Sequence, residues 1–146
     1  IPSHVFIYYF YQRDALWKTE ILFKKLFHNQ NQTIFYTDEI ISILMVFLQF
    51  PTDYYLAVVR DIQNYSIYTQ TSITSNQRCL YINELFNLSI LTLPRIERIK
   101  YYHLPCQYQK NLRCFYDKIF MCLCAQDNHS NCFEFNRNTT FQCLQN

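Results

Sequence analysis

The sequence predicts a mainly β protein: an antiparallel β-sandwich-like domain over residues 1–104, followed by a small disulfide-rich module over residues 105–133. Three observations carry this reading. Half of the 146 residues are hydrophobic, enough for one real core with a small satellite. The first hundred residues hold runs rich in Phe, Tyr, Ile, Val and Thr, parted by turn-prone stretches such as His28-Asn29-Gln30-Asn31 and Phe50-Pro51-Thr52-Asp53. Six of the seven cysteines fall within the last 41 residues.

The expected strands run from His4 to Tyr11, Ile21 to Phe27, Thr33 to Thr37, Ile43 to Phe50, Tyr54 to Arg60 and Ser66 to Thr74. The last alternates Ile67, Thr69, Thr71 and Ile73 with Tyr68, Gln70, Ser72 and Thr74, the period of a half-exposed strand. Ala15 to Phe27 reads two ways. Trp17 with Ile21 and Phe23 with Phe27 would make an i, i+4 stripe on a helix opened by Asp14, and we take the strand reading. Ile82 to Leu88 reads as a short helix with Asn83 as its cap and Glu84 in its first turn.

Glycine is absent, where average usage of about 7% would supply roughly ten. Turn duties therefore pass to Asn and Asp, which tolerate left-handed backbone conformations. The absence also removes the G-x-S-x-G elbow, the phosphate-binding P-loop and the G-x-G-x-x-G turn. The four histidines, His4, His28, His103 and His129, are scattered, so we expect no enzyme and no cofactor. Thirteen Lys and Arg against eleven Asp and Glu leave a small net charge without blocks, and nothing steers the chain to nucleic acid. Pro94-Arg95-Ile96-Glu97-Arg98-Ile99-Lys100 is the one locally basic stretch, read as a solvated linker. The apolar run from Ile40 to Leu48 and Phe50, broken by Ser42 and Gln49, falls short of the roughly 20 residues of a spanning helix. With no leader pattern after Ile1, we expect an excised piece of a larger protein, whose membrane contact lies in segments outside it.

The cysteines stand at Cys79, Cys106, Cys114, Cys122, Cys124, Cys132 and Cys143. Such density in a short segment reads as a disulfide framework in an oxidising compartment. The rival is a zinc module, but the single residue in Cys122-Leu-Cys124 fits two thiolates on one tetrahedral metal poorly, and no metal site is expected. Glycosylation sequons occur at Asn31, Asn64, Asn87, Asn128 and Asn138. Chance placement of the Asn, Ser and Thr present predicts about 1.4, so five favours passage through the secretory pathway.

Cys114-Phe115-Tyr116-Asp117 followed by Ile119-Phe120-Met121-Cys122-Leu123-Cys124 resembles the main hairpin of an EGF-like module, with Asp117-Lys118 as its turn. Alternate residues of a strand share a face, so a C-x-C aims both sulfurs at whatever stacks there. The resemblance, over about residues 106–132, implies a bridge from Cys124 to Cys132 and next one from Cys106 to Cys122. That leaves Cys79 and Cys114 for each other, or the pairs Cys79 with Cys106 and Cys114 with Cys122. Tyr101 to Pro105 lacks the acidic motif of calcium-binding members, so no calcium site is expected. Cys143 remains over and reads as the opening of a further cysteine module, or tail, over residues 134–146.

The implied context is the ectodomain of a multidomain, membrane-anchored receptor or adhesion protein, with a protein or glycan partner. A small secreted effector or ligand is the alternative, and a cytosolic cysteine-based metal module the third. The twenty-six Tyr and Phe rings supply core first, although pairs such as Tyr8-Tyr9 and Tyr54-Tyr55 must place one ring on each face of a strand.

Overall fold

A computed structural model describes residues 4–27, 34, 36–37, 40–51, 53–61 and 73–135. The chain is mainly β and divides into two compact units, Ile1–Ser75 and Asn76–Asn146.

In the first unit, β1 (His4–Arg13), β2 (Leu16–Lys25), β3 (Ile41–Gln49) and β4 (Tyr54–Asp61) form one antiparallel sheet in the order β2-β1-β3-β4. β1 and β2 pair without a break from His4↔Lys25 to Arg13↔Leu16, leaving Asp14 and Ala15 as a two-residue turn. Both turn residues have positive φ, 54° and 63°. Such turns match the right-handed twist of the strands they join, and Gly or Asn usually serve them. Here the absence of glycine puts an alanine in the left-handed region. β2 therefore starts five residues earlier than Ile21, and the helical reading of Ala15 to Phe27 is set aside, because each residue from Leu16 to Lys25 has a partner on β1.

Val5 to Tyr9 are all buried, so both faces of β1 are covered. On one face Val5, Ile7, Tyr9 and Tyr11 pack with Leu44, backed by Leu22, Val46 and Leu48. On the other, Phe6 meets Phe23 at 4.8 Å and Tyr54 at 5.7 Å, while Tyr8 meets Phe47 edge-on at 5.6 Å. A strand buried on both sides reads as a continuous apolar run, as this one does. The β1/β3 register shifts between Phe10 and Tyr11, passing over Ser42, the residue that breaks the apolar run of β3. From Gln12 to Glu20 every residue is exposed, and Leu16 and Trp17 are 63% and 60% exposed at the hairpin end.

In the second unit, β5 (Leu80–Tyr81), β6 (Cys114–Tyr116), β7 (Phe120–Cys124) and β8 (Ser130–Glu134) form a sheet in sequence order, with β5 parallel to β6 and the other pairs antiparallel. The expected hairpin is thus present as β6 and β7, and β8 extends it. Short helices α1 (Leu88–Leu91), α2 (Arg95–Arg98) and α3 (Pro105–Tyr108) occupy the connection from β5 to β6. α3 opens on Pro105, whose missing N–H costs nothing in a first turn. The expected helix from Ile82 divides. Ile82–Glu84 is one 3-10 turn, in which the Glu84 carboxylate accepts from the Tyr81 N–H at 2.8 Å and pairs with Arg78 at 3.0 Å. α1 follows with Asn87, not Asn83, as its cap.

The division at Ser75 falls ahead of the expected boundary near Tyr101 to Pro105, because residues 76–104 share the core of the cysteine-rich part. Ile82 and Tyr102 pack with Cys106, Phe115 and Cys122. Tyr102 stacks on Phe86 at 5.9 Å and meets Phe115 edge-on at 5.6 Å. The basic stretch is accordingly no linker; it forms α2 and the turn after it. Of the remaining expected strands, Ser66 to Thr74 lies outside the described residues except for Ile73 and Thr74, which are in no strand. Of Thr33 to Thr37 only Ile34, Tyr36 and Thr37 are described, also in no strand.

Candidate functional site

The second unit is organised around β7. Phe115 on β6 stands opposite Cys122, and Cys132 on β8 stands opposite it on the other side. Cys122 is bridged to that cross-strand partner, with Cα atoms 4.0 Å apart. Two residues on, on the same face, Cys124 is bridged to Cys106 of α3 at a Cα separation of 5.3 Å. Ser130, opposite Cys124, donates to the Tyr102 carbonyl at 2.6 Å and lies 3.0 Å from the Cys106 sulfur. The third bridge joins Cys79 to Cys114 across the start of the parallel β5/β6 pair, with Cα atoms 4.6 Å apart.

All six cysteines expected in bridges are bridged, and Cys79 with Cys114 is one of the alternatives the sequence left open. The two bridges implied by the EGF-like resemblance are not formed; their partners are exchanged. Register is the reason. Cys124 faces Ser130, so Cys132 is its diagonal neighbour at a typical Cα distance of about 7–8 Å, beyond ordinary disulfide reach. Bonding Cys124 to Cys132 would require β8 to slip along β7.

A buried carboxylate closes the same unit. Asp117, in the β6/β7 turn, is 2% exposed. Its Oδ1 accepts from the Ile119 N–H at 2.7 Å and the Phe120 N–H at 2.6 Å, which bends the chain into the turn. Its Oδ2 accepts from the Tyr102 hydroxyl at 2.6 Å, with Arg98 Nη2 at 3.6 Å. Arg98 also donates from Nε to the Tyr102 hydroxyl at 3.0 Å and from Nη1 to the Leu93 carbonyl at 3.3 Å. A buried charge persists when it is paired and its lone pairs are used, as here. Burial first, and then the bond to Asp117, push the Tyr102 hydroxyl up to about 12, with Arg98 pulling the other way. The hydrogen bond to Tyr102 is the chief cause raising Arg98. These three side chains tie α2, the turn at Tyr102 and the β6/β7 turn together, and at 2% exposure neither Tyr102 nor Asp117 meets a dissolved substrate.

No family model, curated protein or solved structure matches this chain. What it can do must be read from its own side chains.

Two sequons fall on described residues. Asn87 is exposed, and its Oδ1 accepts from the Ile90 N–H at 3.3 Å and the Ser89 hydroxyl at 2.5 Å. Both bonds use the oxygen, whereas a glycan would be carried on the amide nitrogen. Asn128 is exposed in the β7/β8 loop with φ at 65°, its N–H donating to the Ala125 carbonyl at 3.1 Å. Asn31, Asn64, Asn138 and Cys143 lie outside the described residues.

The histidines are not brought together. His4 stacks on Phe23 at 4.6 Å, His103 Nδ1 meets the Lys100 carbonyl at 2.7 Å, and His129 sits 3.1 Å from exposed Asp127; His28 lies outside the described residues. Among the described residues no group of three His, Cys, Asp or Glu is placed to hold a metal ion, and with six cysteines bridged the Cys122 to Cys132 cluster offers no thiolate ligands. Also among the described residues, no helix is long and apolar enough to cross a membrane.

The Arg98, Tyr102 and Asp117 group escaped the sequence reading. Arg98 and Tyr102 stand four apart, a spacing that brings side chains together over one helical turn, but nothing local announces that a turn aspartate will be buried beneath them.

Proposed function

We propose that this chain is an extracellular binding or structural region of a larger, membrane-anchored protein of the receptor or adhesion kind. The observation that carries the reading is the set of three disulfides closing one small unit, which fits an extracellular or secreted location. A unit of this size has a thin core, and covalent closure supplies what apolar burial alone does not. Exposed sequons at Asn87 and Asn128 support the same compartment. The contact surface for a protein partner is the end of the β1/β2 hairpin, where Leu16 and Trp17 of β2 are exposed beside Arg13 and Lys18. Tryptophan is favoured at interface centres for its large area and its N–H.

The test is the intact mass of protein secreted by a eukaryotic host, with and without reduction and alkylation, after enzymatic deglycosylation. Three bridges and a glycan at Asn87 or Asn128 are expected. Seven free thiols and no glycan would return the chain to a reducing compartment.

A further inference from the structure

Among the six bridged cysteines, one residue alone is exposed. Cys79, Cys114 and Cys122 are 0% exposed, Cys106 is 5% exposed and Cys124 is half-buried, whereas Cys132 is exposed. Cys132 lies on β8, the edge strand of its sheet, while its partner Cys122 is buried against Phe115 in the core. Thiol–disulfide exchange needs a thiolate to reach one sulfur of the bond, and which sulfur is reachable decides which bridge opens.

We propose that Cys132 is a thiol-exchange site and that the Cys122–Cys132 bridge is opened by external thiols, small or dithiol-protein, while the other two bridges stay closed. The external thiolate attacks the Cys132 sulfur and forms a mixed disulfide there. The electron pair of the broken bond goes to the Cys122 sulfur, which takes up a proton. A second external thiol resolves the mixed disulfide, so two external thiols are oxidised to a disulfide as the protein gains two cysteine thiols.

The surroundings allow this without loss of the unit. Cys122 to Cys132 closes the shortest loop of the three, with a sequence separation of 10 against 18 and 35. Its opening therefore releases the least chain entropy. The β7/β8 ladder continues on both sides of the pair, from Phe120↔Glu134 to Cys124↔Ser130, and Cys106–Cys124 still ties β7 to α3. The change is confined to β8, and reoxidation reverses it.

The full chain, secreted and oxidised, is first alkylated to block any thiol already free, then exposed to rising glutathione, alkylated with a second reagent and digested with trypsin. Cleavage after Lys118 and Arg137 places Cys122, Cys124 and Cys132 on one peptide, and cleavage after Lys100 and Lys110 places Cys106 on another. The expected first product carries the second label at Cys122 and Cys132, remains disulfide-linked to the Cys106 peptide, and forms about tenfold faster than any other. First labelling at Cys106 with Cys124, first labelling at Cys79 with Cys114, or simultaneous opening of all three bridges would overturn the proposal.

Discussion

Ala15 holds a backbone conformation that an L-residue with a side chain adopts at a cost of about 1–2 kcal/mol, since its Cβ crowds the neighbouring carbonyl. Replacing it with glycine removes that crowding, at the lesser expense of a freer unfolded chain. Ala15→Gly should raise stability by about 0.5–1 kcal/mol, seen as a higher denaturant midpoint in Trp17 fluorescence, which belongs to the same hairpin. Asn111 and Asn128 hold the same region of φ at 68° and 65° and, with Asp14, answer the expectation that Asn and Asp would take over the work of glycine. Ala15 does not, because the turn is set by the pairing of the strands around it. Asp117 poses the opposite question, since it is satisfied only while its partners remain. Asp117→Ala would strand the Tyr102 hydroxyl and two backbone N–H groups and leave the part-buried Arg98 guanidinium without its carboxylate, at a cost of about 2–4 kcal/mol in thermal or denaturant unfolding. The raised Tyr102 fixes a sign. Its neutral form is favoured in the folded state, so its contribution is complete below the unfolded value near 10 and is lost as pH rises toward about 12. Tyr102→Phe should flatten the stability profile across that window, measured by unfolding at a series of alkaline pH values.

Elements with a strong apolar rhythm were legible. β1, β3 and β4 lie within two residues of their expected ends, because Val5 to Tyr9 and Ile43 to Leu48 are long apolar stretches that nothing local contradicts. β8 was not legible. Ser130-Asn131-Cys132-Phe133-Glu134 has one large apolar side chain, and it becomes a strand through its ladder with β7 and its bridge to Cys122. β5 is two residues long and owes its place to a partner far along the chain. For the same reason the sequence identified the bridged cysteines but not two of the three pairs, since pairing is decided by register, which local pattern does not encode. The helix expected from Ile82 to Leu88 was misplaced: Ile82–Glu84 makes only a 3-10 turn, and α1 begins at Leu88, where Asn87 and not Asn83 aims its side-chain oxygen at a free N–H. The capping role of Asn87 and its proposed glycosylation can be tested separately. Asn87→Ala should remove the cap, costing about 1 kcal/mol, together with the proposed glycan acceptor, while Asn87→Asp should remove the acceptor and keep a capping oxygen. Mass and melting temperature of the two secreted variants distinguish them.

Across the molecule, covalent reinforcement is uneven. Residues 1–75 contain no cysteine, whereas the second unit holds three bridges whose loops correspond to roughly 3–4 kcal/mol each in the chain-entropy estimate. Reductant should therefore lower the stability of the second unit and leave the first unchanged, with Trp17 reporting the first and amide exchange at Phe115 and Met121 the second. Removing the longest loop, with Cys79→Ser and Cys114→Ser together, should cost more than removing Cys122 and Cys132 in the same way.

The exchanged partners of the C-x-C also bear on how the molecule is made. A chain synthesised from its amino end presents Cys106 to Cys79 before Cys114 exists, and presents Cys122 to Cys106 before Cys124 exists. Oxidation in that order would capture pairs that the finished sheet does not contain, and each such capture would have to be undone before β7 could settle between its neighbours. Cys79–Cys114 can form once Cys114 has emerged, whereas the other two native bridges wait for Cys124 and Cys132, so the yield of correctly folded protein should depend on bond shuffling during biosynthesis as well as on the stability of the final fold.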